Sequence, residues 1–305
     1  MLNSIGFSLL VGFAILWMND KYLIINPIMA GLDLSLSPSA DKILVVFGII
    51  LCAFLFNEAQ NRQYLFKGNY HSMFITVLAS FSLYTAFEAS LDLWVLAVGL
   101  GLLLLLQALV QRETRLPEGV FFMSLLIGLL TYVIPEAIFI LIFLIVALLI
   151  NTGISAKSLA AIALGYGAAS YFVLAFQGWA GVNAFSSYAD SLLSISIGLP
   201  FKSWSNKAAL FVWLLLQLLA MFSLLSYKKR LNNKQRKVVN LWLWLSTTLF
   251  LAAFSLGGKS LWLSMLIYSL AYSLSLIIEA TDNKWTKDGI LFLVLLPVIL
   301  NVLVS

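Results

Sequence analysis

Apolar residues in this chain fall into eleven long runs, with polar residues gathered in the segments between them. The runs cover roughly residues 3–18, 43–57, 70–87, 93–110, 119–134, 137–150, 158–176, 207–226, 238–256, 261–278 and 288–303. Most approach the length of about 20 residues that a helix needs to cross the hydrocarbon of a bilayer. Lipid offers no partner to an exposed N–H or C=O, so each run is expected to be helical. The predicted architecture is all-α: a polytopic transmembrane bundle of about eleven membrane helices, forming one integral-membrane domain over residues 1–305. Trp17, Trp94, Trp179, Trp204, Trp242, Trp244 and Trp262 stand near run ends, where an indole ring prefers the membrane interface. The first run lacks a positively charged start, and reads as a membrane helix and not as a removable signal peptide.

The stretch 119–150 is interrupted by Pro135 and Glu136. Proline blocks helix continuation and a carboxylate seeks water. Two short helices joined as a hairpin are therefore predicted, with Glu136 hydrated at its tip. The rival, one kinked helix, would invert everything after it and put the basic segment 228–237 outside. Two connections are long, 19–42 and 177–206, and residues 184–195 of the second could form a short helix lying in the interface. Ala161, Gly165 and Ala169 repeat at every fourth position. Small residues at that spacing let helices approach closely, so 158–176 is expected at the centre of the bundle.

Composition sharpens this reading. The chain is 62% hydrophobic and 10% charged, against about one quarter charged in an ordinary soluble domain. With the amino terminus in the cytoplasm, the connecting segments divide the 18 Lys and Arg residues 13 to 5. The cytoplasmic side then holds Arg62, Lys67, Arg112, Arg115, Lys157, the segment 228–237, Lys284 and Lys287. Lys21, Lys42, Lys202, Lys207 and Lys259 face the other side. That asymmetry is the positive-inside signature, and it leaves the carboxyl terminus outside. A bacterial inner membrane is the expected location. The net charge of +5 is a topology signal and no footprint for nucleic acid. Cys52 is the single cysteine, so neither an internal disulfide nor a cysteine-based metal site can form within one chain.

Candidate chemistry sits mainly on the outer segments. Asp20, Asp33 and Asp41 lie in the first long connection, Glu88 and Asp92 flank a short turn, and Asp190 lies in the second long connection. Such carboxylates can act as a general base, bind a cation or stay hydrated. Asp20, Asp33, Asp41, Glu88 and Glu136 are the catalytic candidates. Lys202, Lys207 and Arg62 are the candidates for holding a phosphate or a headgroup. Residues 57–71 gather amides, Arg62 and the single histidine, His71. The segment 228–237 is expected to touch anionic lipid headgroups. No P-loop, dinucleotide turn, His-Glu-x-x-His or nucleophile elbow is present. No cofactor and no metal are expected.

The polar segment from Asn57 to Tyr70 leads into a helix. A charged turn from Arg112 then opens Gly119-Val-Phe-Phe-Met-Ser-Leu-Leu-Ile-Gly-Leu-Leu-Thr-Tyr132, followed by Pro135-Glu136 and another apolar run to Ile150. In this order of elements the chain resembles bacterial inner-membrane proteins of about 300 residues classified only as a domain of unknown function. The resemblance implies location and topology and no reaction. In its long outer segments the chain is also similar in architecture to membrane glycosyltransferases and polysaccharide polymerases. Those enzymes hold phosphate with arginine, whereas all five arginines here map to the cytoplasmic side. A non-catalytic subunit or scaffold of a cell-envelope or secretion assembly is the leading expectation, with an envelope protein as partner. An enzyme acting on a lipid-linked glycan comes second. A small-solute transporter using Ser80, Ser82, Thr85, Tyr132 and Ser170 comes third.

Overall fold

A computed structural model describes residues 38–61, 70–86, 93–111, 116–151, 154–179, 204–255 and 260–304. The described residues form ten α-helices and two short 3-10 turns, with no strand among them. The helices are α1 (Pro38–Asn61), α2 (His71–Ala86), α3 (Leu93–Gln111), α4 (Leu116–Val133), α5 (Ile140–Asn151), α6 (Ala156–Trp179), α7 (Trp204–Tyr227), α8 (Asn233–Ser255), α9 (Ser260–Ala280) and α10 (Lys284–Val304). Each lies over one of the apolar runs. The run 3–18 and the proposed interfacial helix 184–195 fall outside the described residues. Among the described residues, five helical segments are long and apolar enough to cross a membrane: Ile43–Asn61, Leu93–Gln111, Ala156–Ala175, Lys207–Arg230 and Leu261–Ala280. His71–Tyr84, Pro117–Val133 and Pro135–Ile150 are shorter apolar helices.

Helix starts follow from local side chains. The Asn232 side chain accepts the Gln235 backbone N–H at 2.9 Å, and the Gln235 side chain accepts the Asn232 N–H at 3.3 Å. This reciprocal box satisfies two donors that the first turn of α8 would leave open. Asn283 accepts the Trp285 N–H at 3.0 Å before α10, and Ser155 accepts the Ser158 N–H at 3.1 Å before α6. Pro135 ends α4: Ile134 before it is extended, with φ −130° and ψ 93°, the conformation a following proline favours. A 3-10 turn over Pro135–Phe139 then leads into α5.

Contacts divide the chain into two compact units. One comprises Met1–Gly101, Gly198–Leu231 and Trp242–Ser305, and the other Leu102–Ile197 and Asn232–Leu241. The first unit is built around α9. Every residue from Leu261 to Ile278 is buried there, with α2 as its broadest neighbour and α7 and α10 also against it. Beside it Trp242 stacks on Tyr272, with centroids 4.7 Å apart and planes at 16°. Phe56 meets Trp242 edge-on at 5.8 Å and lies tilted on Tyr268 at 5.2 Å. Trp242 and Trp262 are thus core residues and not the interfacial anchors their positions near run ends suggested. Trp244 is 42% exposed.

The second unit is held chiefly by α4 against α6. A Cβ placed on Gly165 would collide with the Phe121 carbonyl oxygen and lie 2.9 Å from the Ser124 Cβ. A Cβ on Gly128 would collide with that of Ala169. Ala161, Gly165 and Ala169 are all buried in this contact. The expectation that 158–176 occupies the bundle centre is corrected, because small side chains give α6 one close-packed face only. Its other faces are open, with Leu164, Tyr171 and Phe172 more than 60% exposed. The helices either side of Pro135 are separate, as expected, but α4 makes little contact with α5 and they are no closely packed pair.

The α4–α6 contact generates a paired prediction. Gly165→Val should lower the unfolding temperature in detergent by several degrees, at a cost of about 1–3 kcal/mol for overpacking. Gly167→Ala, whose Cβ meets nothing within 4 Å, should be neutral or slightly stabilising. Equal effects of the two substitutions would refute the close-approach account.

Candidate functional site

Buried hydroxyls concentrate in the first unit, on α2 and α9. Most are turned on their own helices. Thr76 donates to the Ser72 carbonyl at 2.6 Å and Ser80 to the Thr76 carbonyl at 2.8 Å. On α9, Ser264, Ser269 and Ser273 donate to the carbonyls of Leu261, Leu266 and Ser269 at 2.7–2.9 Å. This is how a serine lies in an apolar helix interior without leaving a bare donor. A hydroxyl so engaged has its proton committed and makes a poor nucleophile.

A second set of bonds joins helices. The Trp213 indole on α7 donates to the Ser82 hydroxyl on α2 at 2.9 Å, with the indole fully buried. Gln217, one turn along α7, donates through Nε2 to the Ser246 hydroxyl on α8 at 2.6 Å. Its Oε1 and the Ser275 hydroxyl are buried without a hydrogen-bond partner. Ser72 donates to the Asn57 side chain, linking α2 to α1. The Tyr268 hydroxyl donates to the Leu96 carbonyl of α3 at 3.3 Å.

Next to this core lies an open groove bordered by α7, α9 and α10. Its volume is about 450 Å³, and Leu216, Leu219, Leu274, Ile277, Ile290 and Leu293 supply its aliphatic lining. Ser223, Thr281, Thr286 and Gly289 line it as well. A smaller cleft of about 200 Å³ shares Ser223, Ile277 and Thr281 and adds Ser226, Tyr227 and Arg230. The cleft therefore continues the groove toward the 3-10 turn Lys228–Arg230 that follows α7. Arg230 is the charged side chain lining either space, and it is exposed. At the neighbouring start of α10, Lys287 acts electrostatically on His71 of α2.

The residues singled out from the sequence do not gather into one described site. Asp20, Asp33, Glu88, Lys202 and Arg62 lie outside the described residues, and Asp41 stands near the start of α1. Lys207 is exposed on α7. Glu136 lies in the 3-10 turn of the second unit and is only 8% exposed. The expectation of a hydrated tip is corrected, since the turn folds that carboxylate inward. Among the described residues, no group of three His, Cys, Asp or Glu side chains is placed to hold a metal ion. Sequence reasoning missed Trp213, Gln217 and the groove. Polar residues inside apolar runs, Gln217 above all, were the available signal.

The fold and these contacts define an all-helical protein with several helices able to span a membrane. Beyond that class, no family model, no curated protein and no solved structure matches the chain.

The Trp213–Ser82 bond can be measured by a double-mutant cycle. Ser82→Ala and Trp213→Phe should couple by about 0.6–1.7 kcal/mol in detergent unfolding, the range of hydrogen bonds between membrane helices. Strictly additive effects would show that the bond contributes nothing.

Proposed function

We propose that the chain is a non-catalytic, multi-pass subunit that scaffolds a cell-envelope or secretion assembly in a bacterial inner membrane. One observation carries this reading: of the hydroxyls buried on α2 and α9, Ser80, Ser269 and Ser273 bond to their own helix backbones and Ser82 is bonded to a neighbouring helix, while Ser275 is buried without a hydrogen-bond partner. Such bonds fix helices against one another or commit the protons of the donating hydroxyls. Transport is disfavoured on the same ground, since Ser80 and Ser82 are bonded within the packed first unit. The 13-to-5 division of cations supports eleven crossings, with the amino terminus cytoplasmic and the carboxyl terminus outside. The likeness to uncharacterised inner-membrane proteins of similar length favours the same location. The segment 228–237 would then meet anionic headgroups at the cytoplasmic surface.

Extraction in mild detergent, of a chain carrying a reporter after Ser305, tests both parts. A second protein should co-purify in fixed proportion, and the reporter should lie outside the cytosol. A lone monomer would overturn the scaffold role, and a cytosolic reporter the eleven-span topology.

Glu136 favours a second reading, that of an enzyme acting on a lipid-linked glycan. A carboxylate withdrawn from water between two apolar helices is costly, and such residues often serve a function. That reading expects Glu136→Gln to abolish the surface glycan with protein levels unchanged. An unaltered glycan would exclude Glu136 from catalysis.

A further inference from the structure

Three helices contribute one face each to the groove beside α9, and all three change character in the same direction. On α7 the lining passes from Leu216 and Leu219 to Ser223, and then to Arg230 beyond the helix end. On α9 it passes from Leu274 and Ile277 to Thr281. On α10, read against the chain, it passes from Leu293 and Ile290 to Gly289 and Thr286. Spacings of three and four residues put each set on one side of its helix. The result is a slot that is aliphatic toward one end and hydroxyl-bearing toward the other, with a guanidinium beyond the hydroxyls.

The dimensions suit one lipid leaflet. From Leu216 to Tyr227 the α-helix advances about 16 Å, roughly half of the ~30 Å hydrocarbon core. The groove is open along the helices and about 450 Å³ in volume, a form that an extended acyl chain lying parallel to them can follow. Charge selects among lipids. Lys228 and Lys229 precede Arg230, and Lys284 and Lys287 open α10, against Glu279, Asp282 and Asp288 nearby in the chain. The charge on the lining itself is positive, and arginine's planar fork matches a phosphate.

We propose that this groove seats one anionic phospholipid, with its phosphate at Arg230 and the hydroxyls of Ser223 and Ser226, and one acyl chain along Leu219, Leu274 and Leu293. The proposal rests on the membrane placement argued above and not on the scaffold role. It holds whichever side of the membrane Arg230 occupies.

Gly289 provides the test. A Cβ built there meets nothing within 4 Å, so Gly289→Leu starts an aliphatic side chain into open lining, and it replaces a poor helix former with a good one. Full-length protein would be reconstituted in bilayer discs of mixed phosphatidylglycerol and phosphatidylcholine, and the retained lipid counted by native mass spectrometry. Wild type should retain one phosphatidylglycerol in preference to phosphatidylcholine. Arg230→Gln should reduce that preference about fivefold. Gly289→Leu should abolish retention while the unfolding temperature and any co-purifying protein stay unchanged. Wild type showing no preference, or Gly289→Leu retaining as much lipid, would overturn the proposal. So would a lowered unfolding temperature for Gly289→Leu, since the slot would then be filled by this chain's own residues.

Discussion

An apolar surrounding gives a polar group no second chance: what the protein does not bond, nothing bonds. The first unit is organised around that constraint. Its most enclosed helix, α9, carries Ser264, Ser269 and Ser273, and each returns its proton to a carbonyl one turn back. Self-satisfied hydroxyls of this kind add little attraction between helices. Their value is small size, which brings neighbouring backbones near without a bare donor at the contact. Specific orientation comes instead from the few bonds that cross between helices, Trp213 to Ser82 and Gln217 to Ser246. Both leave from α7 within about one turn, so that helix is keyed to two neighbours at once. The aromatic stack of Trp242 on Tyr272 supplies bulk where the serines supply none.

The second unit solves the same problem with absence of side chain. Gly165 lies against the Phe121 carbonyl, and Gly128 gives way to Ala169. Close backbones gain dispersion contact along the whole crossing, which matters where lipid is as apolar as leucine and burial alone drives nothing. One tight face suffices for that purpose. It does not require α6 to be surrounded, and Tyr171 and Phe172 are left outside.

How far this could be read in advance differs by element. The helices were legible because length and hydropathy are properties of a single segment: the run 93–110 became Leu93–Gln111, and 261–278 became Ser260–Ala280. The break at Pro135 was legible for a local steric reason. Depth was not. Trp242 and Trp262 stand near run ends, and a position near an end cannot distinguish an interfacial ring from one turned into the core. Glu136 misled likewise, because the charge rule speaks of water and the 3-10 turn provides protein. The candidate site was the least legible. Its lining comes from stretches near 216–230, 274–281 and 286–293, and no one of them is unusual until the three are set side by side.

The aligned gradients of those stretches also determine where selectivity can reside. An acyl chain that leaves bulk lipid for an aliphatic slot exchanges one hydrocarbon neighbour for another, so Leu219, Leu274 and Leu293 contribute shape and almost no preference. Discrimination has to come from the end that is not hydrocarbon. There, on the proposed seating, the hydroxyls of Ser223 and Ser226 would serve any phosphate ester, and Arg230 with its neighbouring lysines would distinguish net negative from zwitterionic headgroups. Gly289 completes the division of labour. A Cβ there would meet nothing within 4 Å, so by lacking a side chain Gly289 leaves that part of the slot open.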